Sequence, residues 1–144
     1  MYKSFSTCLI FLMMWLNVSD NEITIYIIGD STAANKLANA FPETGWGMAF
    51  KSFFDDNVKV DNRALNGRST KSFINEKRWE NILTTLAEGD YVLIQFGHND
   101  AKIEDPSRYT NPHTAYRYNL IRFVKESRAK GAIPVLLTSI SRRN

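Results

Sequence analysis

Ile23-Thr24-Ile25-Tyr26-Ile27-Ile28-Gly29-Asp30-Ser31-Thr32 is the stretch from which the fold is read. Its first six residues are dominated by β-branched and apolar types, and Gly29-Asp30 stops them, as happens where a buried strand runs into a loop. The same signature recurs downstream. Val58 to Leu65, Tyr91 to Phe96 and Ile133 to Ile140, with Pro134 near its start, read as three more strands. Helical spacing fills the gaps between them. Trp46 to Phe54 repeats apolar residues at Trp46, Ala49, Phe50, Phe53 and Phe54. Lys71 to Glu88 carries Phe73, Ile74, Trp79, Ile82, Leu83 and Leu86 ahead of Gly89. His113 to Lys130 carries Tyr116, Leu120, Phe123 and Val124 ahead of Gly131. Strands that alternate with helices predict an α/β fold, a flavodoxin-like three-layer α/β/α arrangement on a parallel sheet of order 2-1-3-4, because each crossover helix must pack back onto the sheet it left.

The composition agrees with one ordinary globular domain. Of 144 residues, 44% are hydrophobic and 23% charged, with 7 Gly and 4 Pro, which excludes collagen-like, low-complexity and disordered classes. A chain of this length buries roughly two thirds of its unfolded surface and needs no metal or disulfide staple. The formal charge of +3 is a weak basic excess. Its densest cluster is Lys125, Arg128, Lys130, Arg142 and Arg143, and no basic stripe alternates with stacking aromatics, so nucleic acid is not an expected partner.

The first nineteen residues stand apart. Lys3 precedes the apolar run Cys8 to Leu16, and Asn17, Ser19 and Asp20 follow it. Nine apolar residues are too few to cross a hydrocarbon layer of ~30 Å as a helix, but they suit the centre of a secretory signal. Residues 1–19 are therefore expected to be a signal peptide, with the remainder secreted or periplasmic and not stably held at a membrane after processing. An uncleaved anchor and a buried N-terminal helix stay open as alternatives, since Asn17-Val18-Ser19 makes a poor cleavage pattern. Cys8 would leave with the leader and take the chain's one thiol with it.

Three loops begin at the carboxyl ends of the strands, the edge where parallel sheets bind ligands. They are Gly29-Asp30-Ser31-Thr32, Asn66-Gly67-Arg68-Ser69 and Gly97-His98-Asn99-Asp100. In a 2-1-3-4 order they meet. Ser31 offers a hydroxyl that a base can turn into a nucleophile. A backbone N–H at Gly67, the Asn99 carboxamide and the Ser31 N–H would together form an oxyanion hole, and the chemistry that needs one is acyl transfer. The plain readings are a helix N-cap for Ser31, a turn glycine at Gly67 and a turn former at Asn99. Neither a phosphate-binding Gly-x-x-x-x-Gly-Lys loop, nor a dinucleotide Gly-x-Gly-x-x-Gly, nor a Gly-x-Ser-x-Gly elbow follows any strand.

Gly-Asp-Ser after the first strand, Gly in the second loop and Gly-x-Asn-Asp after the third resemble the first three sequence blocks of the SGNH (GDSL-like) hydrolases. Tyr26 to Thr32, Gly45-Trp46-Gly47, Asn66 to Phe73 and Gly89 to Asp100 are similar, more narrowly, to the rhamnogalacturonan acetylesterase branch. This resemblance implies a serine esterase without metal or other cofactor, whose substrate is an acetylated pectic or related polysaccharide or oligosaccharide. By position it makes Ser31 the nucleophile and one oxyanion donor, and Gly67 and Asn99 the other two. Asp30 and Asp100 read as acceptors that fix their loops, and Arg68 and Ser69 as loop structure. The family's fourth block, an Asp-x-x-His that supplies and orients the base, is not found in this chain. His98 belongs to the third block and His113 opens a helix. Losing a triad member costs factors of ~10⁴ or more. The expectation is an N-terminal portion of such a hydrolase, with residues 20–144 as a C-terminally incomplete domain lacking its fifth strand and inactive alone. A degenerate relative and a site completed by a partner chain are the alternatives. The competing function is a carbohydrate-binding or interaction module that uses Trp46 without turnover.

Overall fold

The computed structural model describes residues 22–141, so the expected leader at Met1 to Ser19, with Cys8, and the terminal Arg142 and Arg143 lie outside the described residues. Four strands form one sheet: β1 (Ile23–Gly29), β2 (Val58–Asn62), β3 (Tyr91–Gln95) and β4 (Ile133–Leu136). All three pairings are parallel and the order is β2-β1-β3-β4, as the alternation predicted. Register places Ile27 beside Asn62, Gly29 beside Gln95 and Ile94 beside Leu136.

Alternate residues of each strand serve opposite faces of the sheet. Tyr26, Ile28, Val92 and Ile94 face a layer made by α2 (Thr70–Asn75), α3 (Arg78–Leu83) and α4 (Ala115–Ala129), which contribute Phe73, Trp79, Ile82 and Phe123. Phe123 stacks on Phe96 at 5.9 Å between ring centres and meets Trp79 edge-on at 4.9 Å. Each such buried aromatic or aliphatic side chain stabilises the fold by roughly 1.5–3 kcal/mol relative to exposure. Ile27 points the other way, into a cluster with Ala33, Ala34 and Ala64, against which Trp46 and Phe50 of α1 (Trp46–Phe50) pack. The core therefore has two layers around the sheet. On the second face small residues let the turn after β1 lie directly on the strands.

The predicted helix over Lys71 to Glu88 is two helices. Glu76 ends α2, and Lys77 adopts a left-handed φ of 58° before α3 begins. The reason is phase. At about 100° per residue, a continuous helix would turn Phe73 and Ile82 to opposite sides, yet both are buried against the same face. The break brings them back together. Trp46 to Phe54 is likewise shorter than expected, continuing past Phe50 as a 3₁₀ turn over Lys51–Phe53. His113 precedes α4 and does not open it; its N–H bonds the Asn111 side chain at 2.9 Å. The fourth strand stops at Leu136 rather than Ile140, after one more bond from Leu137 N–H to Ile94 O at 2.9 Å, because β3 ends at Gln95 and offers no further ladder. Among the described residues, no helix is long and apolar enough to cross a membrane.

Candidate active site

Gly29 is the junction from which the three loops depart. Its carbonyl accepts the Leu65 N–H at 3.1 Å, it pairs with Gln95, and a Cβ on it would stand 2.5 Å from the Gln95 carbonyl oxygen. A side chain there would force β1 and β3 apart. The loops at residues 30–34, 66–69 and 96–100 consequently leave the sheet side by side.

The first loop is a local turn. The Asp30 carbonyl accepts the N–H groups of Ala33 and Ala34 at 3.2 and 3.1 Å, and its buried carboxylate accepts the Thr32 N–H at 2.9 Å. Thr32 Oγ1 lies 2.8 Å from Asp30 Oδ1 and 3.0 Å from Gln95 Oε1, with one proton to share. Ser31 stands half-buried between them. Residues 31–34 form a turn and not a helix, so Ser31 has no helix to cap. Among the described residues its hydroxyl joins no hydrogen bond.

In the second loop Gly67 has φ +78°, a left-handed conformation that favours glycine, whereas the nearest neighbour of a Cβ there would be Arg108 Nη1 at an unstrained 3.7 Å. The demand at Gly67 is thus conformational, not steric. Arg68 and Ser69 are loop structure. The Arg68 guanidinium bonds Glu76 and the Asn66 carbonyl, and Ser69 caps α2 in a reciprocal pair with Ser72. From the other side, the buried Lys36 side chain holds Asn66 Oδ1 at 2.9 Å and Glu43 at 2.7 Å.

The third loop meets the second. Asn99 is buried and its Nδ2 donates to the Arg68 carbonyl at 3.0 Å, which sets the carboxamide against the Gly67-Arg68 turn. Next to it, the Asp100 carboxylate accepts from Thr70 N–H at 3.1 Å, Thr70 Oγ1 at 2.5 Å and Thr110 Oγ1 at 2.7 Å. Asn119 donates to that Thr70 hydroxyl at 2.9 Å. Burial raises the Asp100 pKa above the usual carboxylate value, and the bonds from Thr70 and Thr110 pull against it without cancelling it. Both aspartates therefore fix loops. His98 reaches the segment after β4, its Nε2 lying 2.5 Å from the Ile140 carbonyl. Trp46 is partly buried, packs on Phe50 at 5.5 Å and donates to Gln95 Oε1 at 2.6 Å, which pins its ring against the second cluster.

Several residues that organise this edge carried no prior expectation. Gln95 is buried and receives Trp46 and Thr32 on one amide end while its Nε2 donates to the Thr138 carbonyl at 3.1 Å. A glutamine inside the apolar run Tyr91 to Phe96 was the available signal. Thr70, Thr110, Asn119 and Arg108 gave none; apart from the local pair of Arg108 with Asp105, the partners that matter here are brought near by folding. A cavity of about 550 Å³ opens beside the third loop, lined in part by His98, Ile103, Tyr109 and Tyr116. None of Ser31, Gly67 or Asn99 lines it. The hydrogen bonds, which connect the loops directly, locate the candidate site better than this neighbouring hollow.

Residues 27–143 match the GDSL-like lipase/acylhydrolase family. RhgT, a rhamnogalacturonan acetylesterase of Bacillus subtilis (strain 168), is 41% identical over 121 residues, which are 84% of this chain and 50% of RhgT. YesY of the same organism, described as a probable rhamnogalacturonan acetylesterase, is 39% identical over 118 residues, 82% of this chain and 54% of YesY. Protein YXIM_BACsu from Bacillus subtilis superposes with a TM-score of 0.73 at 29% identity, over 81% of this chain and 32% of its own. The psychrotrophic esterase EstA from Pseudoalteromonas sp., at 22% identity, a TM-score of 0.58 and coverage of 81% and 61%, shares the fold. The chain spans about half the length of the two Bacillus acetylesterase relatives.

Proposed function

The chain belongs to the GDSL-like lipase/acylhydrolase family, and from that premise we propose that it carries the nucleophile and oxyanion donors of a serine carbohydrate esterase that removes O-acetyl groups from pectic polysaccharide. Ser31 attacks the acetyl carbonyl. The N–H groups of Ser31 and Gly67 and the Asn99 carboxamide bind the oxygen that becomes negative in the tetrahedral intermediate, so they act where charge develops rather than on the resting ester. Three things support the reading: the sequence blocks, the acetylesterase relatives, and the bond between Asn99 Nδ2 and the Arg68 carbonyl. That bond carries it furthest, because it ties the Asn99 side chain to the carbonyl of Arg68, the residue next to Gly67.

Deacylation and acylation both need a base, and the Asp-x-x-His that supplies it in the family is not among these 144 residues. The proposed activity of this chain by itself is accordingly very low. The apolar Met1 to Ser19 segment supports action outside the cytoplasm, where a polysaccharide substrate is found.

Acetate release from acetylated rhamnogalacturonan and from an aryl acetate tests the proposal, with the chain alone and with the chain joined to the second half of RhgT. The joined protein should release acetate, and Ser31→Ala should lower the rate by ~10³-fold or more. Release that survives Ser31→Ala overturns the assignment. Retention of the polysaccharide with no release in either form would instead favour a binding module.

A further inference from the structure

Arg108 lies at the seam between Gly67 and Asn99, and nothing in the sequence blocks accounts for it. Its Nη1 is 3.4 Å from Asn99 Oδ1 and 3.7 Å from the place a Cβ on Gly67 would occupy. The guanidinium does not drift there. Its Nε and Nη2 both hold Asp105 Oδ2 at 2.5 Å, and Asp105 Oδ1 in turn accepts the Ser107 N–H at 3.0 Å and the Ser107 hydroxyl at 2.5 Å. Lys71 Nζ, bonded to the Pro106 carbonyl at 2.6 Å, ties the same loop to α2.

A carboxamide has two chemically opposite ends. With Oδ1 toward the cationic Arg108 and Nδ2 toward the Arg68 carbonyl, both contacts of Asn99 are attractive. Rotating the amide by half a turn would set NH₂ against a guanidinium and oxygen against oxygen. One Nδ2 proton is spent on Arg68, and the second is then held in a single direction. We propose that Arg108 is a positioning residue that fixes the Asn99 carboxamide as an oxyanion donor, with Asp105 as its anchor. The functional half of this proposal rests on the esterase reading above. The structural half does not.

The test uses the full chain. The two Asn99 Nδ2 protons are followed by ¹H–¹⁵N NMR, assigned by their disappearance in Asn99→Asp, and compared in Arg108→Gln, Arg108→Lys and Asp105→Asn. Arg108→Gln and Asp105→Asn should each move the pair toward the shifts of a solvent-exposed amide and speed its exchange with water by about 10-fold or more. Arg108→Lys should fall between, because a lysine cannot hold both oxygen partners in one plane. Should one variant fail to fold, the others decide. If Arg108→Gln and Asp105→Asn leave the Asn99 pair within about 2-fold of wild type while lowering Tm, the ion pair only staples its loop and the proposal falls. In the protein joined to the second half of RhgT, Arg108→Gln should lower kcat by ~10–100-fold, part of what loss of a whole donor costs, and change KM by no more than about 2-fold. An unchanged kcat overturns the proposal. Absence of release by the unsubstituted protein counts against the esterase reading instead, and the amide measurement alone then decides the role of Arg108.

Discussion

Asp30 and Asp100 both sit in loops that leave the carboxyl end of a strand, both are buried, and both accept backbone and hydroxyl hydrogen bonds, yet they do different jobs. Asp30 binds Thr32, two residues away, and shapes the turn that presents Ser31. Asp100 binds Thr70, thirty residues away, and Thr110, ten away, and so clamps the second loop, the third loop and the start of α2 together. Burial raises the pKa of Asp100, against the pull of the hydrogen bonds from Thr70 and Thr110. One aspartate makes a local shape; the other makes a tertiary joint. A family signature that contains both letters hides this division.

The largest effect is expected at the joint. Asp100→Leu would leave the buried Thr70 N–H, Thr70 hydroxyl and Thr110 hydroxyl without their acceptor, and each unsatisfied buried donor costs about 1–3 kcal/mol. A loss of about 3 kcal/mol or more in urea unfolding is expected. Asp100→Asn keeps an oxygen in the place of Oδ1, where both hydroxyls bond, and should cost less than half as much. If Asp100→Leu unfolds within 1 kcal/mol of wild type, the clamp described here is wrong. Asp30→Ala comes next. It loses two bonds from one neighbour, Thr32 is half-exposed, and water can replace part of what is removed. About 1 kcal/mol is expected by the same measurement, and a loss equal to that of Asp100→Leu would erase the distinction between the two sites.

This contrast also explains what the sequence reveals. Strand positions, parallel order and the two-faced core follow from Ile23 to Ile28, Tyr91 to Phe96 and their intervening helices, because side-chain period is a local property. The Asp30-Ser31 turn is legible for the same reason. The break at Lys77 was hidden because a 3.6-residue reading accepts Phe73 and Ile82 in one helix unless their phase is checked against a shared face. Thr70, Thr110, Asn119 and Arg108 were hidden more deeply. Each is an ordinary surface-type residue whose meaning comes from a partner that only folding brings near, and the Asp105-Arg108 pair reads in sequence as a plain i,i+3 contact.

The smallest effect concerns acid, and its sign separates the two aspartates most sharply. Asp100 has a folded-state pKa above its unfolded value, so the native state holds that proton more tightly than the unfolded chain does. Its contribution to stability is fully present below the ordinary carboxylate value of 3.8 and is lost as pH rises through the elevated folded value. Asp105 runs the other way. The Ser107 and Arg108 bonds hold its pKa at about 2, so its contribution is present above 3.8 and is lost as pH falls through 2. Between about pH 4 and neutrality only the Asp100 trend is active of these two. Asp100→Asn removes that titration and leaves Asp105 intact. The stability difference between wild type and Asp100→Asn should therefore be greater at pH 4 than at pH 7. Parallel urea titrations at the two pH values measure it, and a difference that grows toward neutral pH would mean that the hydrogen bonds from Thr70 and Thr110 outweigh burial at this joint.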